Sequence, residues 1–280
     1  MSGYSGRKPI EPHVLLAEVV RTKQVSEHMM RVTFGGQGLE RFTAVGYDQW
    51  FRLFLQREGS DAMRLPTRTS GLGWYAQYLI TPKSRRPWVR SYTVRDARPD
   101  LREIDVDFVL HGAHDGEAHT GEPGPASTFA ANARPGDTVG ILDQGVGYNP
   151  RHEHDWTLLA ADESGLPAVA GICEALPEDA RGIAVVEVAT AADRQDFRVP
   201  AGIDLRWVER DAVDAAAVPG TAALAAVRGL ELLDGAVYAF SVGESTLATG
   251  VRRYLVNERG VPKTHADFVG YWKHGRGAAG

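Results

Sequence analysis

The chain has one cysteine in 280 residues, Cys173, which excludes an intramolecular disulfide, a cysteine-held iron–sulfur cluster and a zinc site built on cysteine pairs. Lysine is scarce as well: only Lys8, Lys23, Lys83, Lys263 and Lys273 stand among the 31 basic residues, so arginine carries the positive charge. No stretch approaches the ~18 apolar residues of a membrane span, and the opening MSGYSGRKPIEPH has no apolar core of a signal peptide. A cytoplasmic protein without stable membrane insertion is therefore expected. Nor is there a positive excess. The net charge of -5 gives no overall pull on nucleic acid, so any anionic partner must be met locally. What is present is ordinary globular material, 43% hydrophobic and 24% charged, in a length that suits two domains.

Short segments rich in β-branched and aromatic residues, divided by Gly, Pro and Asp, fill the first half: Val14–Val20, His28–Phe34, Trp50–Gln56, Trp88–Arg95, Arg102–Gly112 and Asp137–Asp143. They predict an antiparallel β-barrel within residues 1–150. In the fifth segment Ile104, Val106, Phe108 and Leu110 share one face. Asp105, Asp107, Val109 and His111 take the other, which is polar enough to meet a ligand. After Tyr148-Asn149-Pro150 strands and helices alternate. Strands are expected at Trp156–Ala161, Gly182–Ala189, Ile203–Glu209 and Ala236–Val242, with helices at Pro167–Leu176, Thr221–Arg228 and Ser245–Arg259. This rhythm predicts a doubly wound parallel sheet within residues 151–280, the boundary falling near 149–155. Gly59–Arg86 and Gly112–Gly124 read as loops.

Several segments are equipped for chemistry. In Arg90-Ser91-Tyr92-Thr93 an arginine can pair with a pyrophosphate, a tyrosine can cover a flavin ring and a hydroxyl can bond the ring edge; an ordinary strand with a surface arginine is the competing reading. Gly124-Pro125-Ala126-Ser127-Thr128 opens a helix whose first N–H groups can hold phosphate. Asp162-Glu163-Ser164 and Gly243-Glu244-Ser245 each lie between a strand and a helix, where doubly wound folds bind nucleotides and where simple helix capping is equally at home.

Seven words occur in order: R-S-Y-T-V-R (90–95), D-F-V-L-H-G (107–112), G-P-A-S (124–127), A-R-P-G-D (133–137), A-D-E-S-G-L-P-A (161–168), V-G-E-S (242–245) and G-Y-W-K-H-G-R (270–276). In this set the chain resembles the siderophore-interacting protein family, FAD-dependent ferric-siderophore reductases of the ferredoxin-reductase-like superfamily. The resemblance implies an FAD-binding barrel followed by an NAD(P)H-binding domain. Electrons would pass from NADPH or NADH through FAD to a ferric siderophore, releasing Fe(II), with no side chain acting as general acid or base. It implies FAD contacts at Arg90, Ser91, Tyr92, Thr93, Asp107, Val109, His111, Ala126, Ser127 and Thr128. It implies nicotinamide-nucleotide contacts at Asp162, Glu163, Ser164, Gly243, Glu244 and Ser245. Arg52 and Lys273 would face the siderophore.

Where many relatives carry a G-P-x-G turn, this chain has Asp143-Gln144-Gly145-Val146-Gly147, without a basic residue. The chain ends soon after Arg276, whereas the NADH-using branch tends to add a helix, which favours NADPH. A reductase with another acceptor or a reduced deazaflavin donor, and a non-catalytic siderophore carrier, are the alternatives. A monomer or weak dimer is expected. Arg194 reads as a solvated loop residue, with a 2′-phosphate contact as its functional alternative. His152-x-His154 and the His111, His114, His119 group lack a supporting carboxylate or cysteine set, so no resident metal is expected. Cys173 shares an apolar helix face with Val169, Ile172 and Leu176 and reads as core.

Overall fold

A computed structural model describes residues 6–9, 12–60, 62–69, 73–110 and 124–275. Its first half contains β1 (Val14–Ser26), β2 (Met29–Gly35), β3 (Trp50–Leu55), α1 (Gly73–Ile80), β4 (Trp88–Thr93), β5 (Asp96–Arg98), β6 (Glu103–Val109), α2 (Pro125–Asn132) and β7 (Thr138–Gly145). The seven strands form one antiparallel sheet in the order β4-β3-β7-β1-β2-β6-β5. Its two edge strands are consecutive in the chain, joined at Val94-Arg95, so the sheet must curl on itself. The Tyr92 ring of β4 then lies 4.2 Å from Phe108 of β6, closing the barrel. Strict alternation sends Leu15, Ala17 and Val19 of β1 inward, into a core shared with Ala126 and Ala130 of α2. Phe34 and Phe108 are fully buried there, each contributing about 2–3 kcal/mol of apolar burial.

The second face of β6, expected to be polar enough to meet a ligand, is polar but largely engaged within the barrel. Asp105 and Asp107 are both buried. A buried carboxylate needs a partner, and the strands beside β6 supply them. Arg31 of β2 grips Asp107 with two bonds of 2.7 and 2.9 Å, while Asp105 takes Arg98 of β5 and the Thr33 hydroxyl. Most of that face is thus closed by ion pairs.

The second half contains β8 (Trp156–Ala161), α3 (Leu166–Ala175), β9 (Arg181–Val188), β10 (Gly202–Glu209), α4 (Arg210–Asp214), α5 (Thr221–Arg228), β11 (Val237–Glu244), α6 (Ser245–Arg253) and β12 (Ala266–Trp272). The sheet order is β10-β9-β8-β11-β12 and every pair is parallel. The chain runs outward from β8 and then returns to its other side, so the topological switch lies between β8 and β11. One sheet face is covered by α3, whose Cys173 is fully buried with its thiol pKa pushed up to about 12 by burial. The other face is covered by α5 and α6 through Ala223, Val227, Leu247 and Val251. No described helix is long and apolar enough to cross a membrane.

Several elements depart from the sequence reading, β5 and α4 among them. The stretch taken as a loop at 59–86 contains α1, pinned because Trp74 and Phe54 meet edge to face and Arg86 bonds the carbonyls of Leu79 and Thr81 at the helix end. The C-terminal aromatic segment begins inside a fifth strand of this sheet, β12, which ends at Trp272. The final helix also ends at Arg253, continuing as one π-helical turn over Tyr254–Glu258.

Several contacts tie the halves. The Tyr148 and Thr157 hydroxyls lie 3.0 Å apart, and the Asn149 N–H donates to the Tyr238 hydroxyl at 3.2 Å. Arg95 holds Glu174 of α3 with two bonds of 2.8 and 3.0 Å. Asp193, just beyond β9, accepts the backbone N–H of His28 at 3.1 Å and faces its ring nitrogen at 2.8 Å.

Candidate functional site

Alternation along β4 divides the Arg90–Thr93 motif. Arg90 and Tyr92 are in register with Leu53 and Phe51, on the barrel-core side, whereas Ser91 and Thr93 are on the opposite face beside Arg52 and Trp50. Arg90 is half-buried. One of its nitrogens bonds the Val89 carbonyl at 2.7 Å and its guanidinium sits 5.7 Å from the Trp88 ring, but among the described residues no carboxylate pairs with it. Burial accordingly lowers its pKa. A desolvated guanidinium with donors to spare fits a pyrophosphate. Burial also raises the Tyr92 pKa, keeping a neutral phenol against Phe108.

Helix α2 packs on the same barrel and begins at Gly124 without a side-chain cap, with Pro125 in its first turn. Its leading N–H groups belong to Ala126 and Ser127, both buried, and to Thr128, whose N–H bonds the Gly124 carbonyl. A helix start of this kind favours an anion. Val109 ends β6 opposite Met29. Asp107 is spent on Arg31, so its side chain serves the barrel. His111, with His114, His119 and Arg276, lies outside the described residues. The donor set around Arg90 therefore fits FAD.

In the parallel sheet the six residues expected at the nucleotide site do converge, at the carboxyl ends of β8 and β11. Their side chains are turned on one another. Fully buried Asp162 accepts the Ser164 N–H at 2.9 Å, the Ser164 hydroxyl at 2.5 Å, the Glu244 N–H at 2.6 Å and the Trp272 indole N–H at 3.2 Å. Burial first, and then Glu163, push its pKa up against the Ser164 and Glu244 donors. Glu163 is held by Arg210 through bonds of 2.9 and 3.0 Å. Glu244 caps the Thr246 N–H and accepts from the His274 N–H, and the Ser245 hydroxyl donates to the Trp272 carbonyl at 2.7 Å. These residues therefore shape the crevice and leave its edges, more than their own charges, to a ligand.

Arg52 lies between two indoles, 4.4 Å from the Trp74 ring and 5.5 Å from Trp50, with its buried Nε unpartnered. Lys273 is exposed directly after β12. Arg194 is an exposed loop residue, as expected, and also pairs with Glu209. His152 stacks on His265, and no metal-ligating group of three occurs among the described residues.

Sequence reasoning missed four contributors. Arg31 and Arg210 neutralise Asp107 and Glu163 from distant segments; Trp74 covers Arg52 from the helix read as a loop; Asp193 joins the halves. Only Arg210, directly after a β-strand of a doubly wound domain, stood where such a fold places functional residues.

An antiparallel barrel followed by a parallel sheet with a switch-point crevice is the ferredoxin-reductase-like fold. A ferredoxin reductase in carbazole 1,9a-dioxygenase shares that fold at a TM-score of 0.58 and 12% identity, over 94% of this chain and 70% of the other. Within the class, this chain belongs to the siderophore-interacting protein family. Residues 18–147 match the siderophore-interacting FAD-binding domain and residues 154–275 match the siderophore-interacting protein model. The chain is 31% identical over 264 residues to the ferric vibriobactin reductase ViuB of Vibrio cholerae, covering 93% of this chain and 90% of the relative. It is 29% identical to an NADPH-dependent ferric-chelate reductase of Escherichia coli, over 70% of this chain and 72% of the relative. A siderophore utilization protein from T. fusca superposes at a TM-score of 0.80 with 30% identity, over 99% of this chain and 98% of that one.

Proposed function

We propose that this protein is a cytoplasmic FAD-dependent ferric-siderophore reductase that draws electrons from NADPH, with residues 1–150 binding FAD and 151–280 binding the nucleotide. The observation that carries the reading is Arg90, half-buried, desolvated and without a carboxylate among the described residues, on the same strand face as Tyr92. The names of the two reductase relatives supply the substrate class and the donor. Bound FAD would convert two-electron transfer from the nucleotide into one-electron transfer to Fe(III).

The chain's own residues do the positioning. Arg90 and the leading N–H groups of α2 hold the pyrophosphate, and Tyr92 lies along the ring system. The Asp193–His28 contact sets the Met29 and Val109 end of the barrel against the carboxyl end of β9. That brings the crevice of the parallel sheet towards the flavin site. Arg52 and Lys273 offer positive charge to an anionic ferric chelate. The side chains of Asp162, Glu163 and Glu244 act by fixing the loops.

Purified protein should show flavin absorption in the visible blue. Arg90→Ala should weaken FAD binding by about 10- to 100-fold, as expected for loss of charge-assisted hydrogen bonds of ~1.5–3 kcal/mol. In anaerobic stopped flow, NADPH should bleach the flavin and a ferric siderophore should restore it. Undiminished FAD affinity in Arg90→Ala would remove the phosphate role. Reduced protein that no ferric chelate reoxidises would remove the reductase reading.

A further inference from the structure

Helix α1 breaks the pattern of a surface helix, whose solvent side should be polar. Its outward positions are 75, 76, 79 and 80, and all four are apolar. Tyr75 is 43% exposed, Leu79 47% and Ile80 82%. Its polar residue, Gln77, is spent on the N–H groups of Thr67 and Arg68. Trp74 and Tyr78 face inward, Trp74 against Phe54 and Arg52. The apolar stripe is thus surplus to the core.

Cations flank both ends of this stripe. Arg68 lies beside Gly73 at the first turn, and Lys83 and Arg85 follow the last, with the Arg64 N–H bonded to the Arg85 carbonyl. All four side chains are exposed, and among the described residues none pairs with a carboxylate. Residues 52–90 carry eight basic and two acidic side chains, in a chain whose net charge is -5. The positive charge is therefore concentrated here.

We propose that α1 and its four flanking cations form a peripheral docking surface for an anionic lipid bilayer. A tyrosine and two aliphatic side chains suit the headgroup boundary, and long cationic side chains beside them can reach lipid phosphates. An eight-residue helix is only about 12 Å long, so it lies on a bilayer and does not cross it. A second copy docking through the same face would bring like charges together, which disfavours self-association. Docking would also place Arg52, behind α1, close to the membrane. The proposal rests on α1 and does not need the reductase reading.

The test is flotation of FAD-loaded full-length protein with vesicles of phosphatidylcholine containing about 30 mol% phosphatidylglycerol, or of phosphatidylcholine alone, at low and high salt. Binding should favour the anionic vesicles at least tenfold and fall with salt. The Leu79→Glu/Ile80→Glu variant should lose binding more than tenfold. Arg68→Ser/Lys83→Ser/Arg85→Ser should do so too, at roughly fivefold per cation. Both variants should keep wild-type melting temperature and FAD content. Absence of binding to either vesicle, or equal binding to both, overturns the proposal. So does a concentration-dependent dimer, abolished by Leu79→Glu/Ile80→Glu, with no vesicle binding; the stripe would then belong to a second copy.

Discussion

At the end of β11 the backbone of Gly243 takes φ +119°, and a Cβ there would lie 2.6 Å from the carboxyl carbon of Asp162. Gly243→Ala must therefore strain the turn and displace the carboxylate that holds Ser164, Glu244 and Trp272. A loss of about 1–3 kcal/mol is expected, with a higher KM for the nicotinamide nucleotide and unchanged FAD content. Thermal melting and steady-state kinetics would show it; an unchanged KM would detach this turn from nucleotide binding. At this scale Arg90, Tyr92 and Cys173 were legible in the sequence because strand alternation and helix periodicity are local properties. The engagement of Asp107 and Glu163 was not. Their partners, Arg31 and Arg210, lie 76 and 47 residues away, and a one-dimensional pattern holds no information about which cation a buried carboxylate meets.

Between elements, Arg210 at the start of α4 does the most. It bonds Glu163 after β8 and Glu187 of β9 at 2.9–3.0 Å, and Glu187 in turn accepts the N–H groups of Gly220 and Ala223 before and within α5. Arg210→Met would leave two carboxylates buried together without a cation. The expected cost is about 3–5 kcal/mol, read as a lower urea midpoint with an unchanged slope. A midpoint within error of wild type would show that the cluster relaxes into water. Most elements were legible from their periodicity, while α1, β5, α4 and β12 were not. Helix α1 is eight residues long and its outer stripe is apolar, so it lacks the two-sided pattern that marks a surface helix. Strand β12 pairs with β11 through a bulge at Gly243, and its Ala-Asp-Phe-Val-Gly-Tyr-Trp run needs that neighbour to become a strand.

Over the whole molecule, polar contacts help to set the barrel against the sheet, Asp193 to His28 among them. Burial alone would raise the Asp193 pKa, but the polar groups of Ser26, His28 and Thr190 around it outweigh burial and hold it below the usual carboxylate range. Its stabilisation is therefore complete above the unfolded value of about 3.9 and is lost as pH falls through the lower folded value. Asp193→Asn should melt earlier than wild type by the equivalent of about 1–3 kcal/mol at pH 7, and the gap should close below about pH 4. Flavin reduction by NADPH should slow in the same variant. A gap that widened on acidification would reverse the assigned sign. A second contact is steric: a Cβ on Gly171 of α3 would run into the Tyr47 carbonyl, so only glycine lets that loop reach the helix.

By itself the sequence determined the two-domain order, the strand and helix types of most segments, the fully buried thiol and the family words, because hydrophobic period, turn residues and short motifs act over a few neighbours. Tertiary structure decided which charges remained available. It spent Asp107, Glu163 and Asp162 on partners inside the protein, left Arg90 with no carboxylate among the described residues, and placed Trp74 over Arg52. The cause is desolvation: a carboxylate brought into the core must find a donor wherever the fold supplies one, and only the groups left over can meet a ligand.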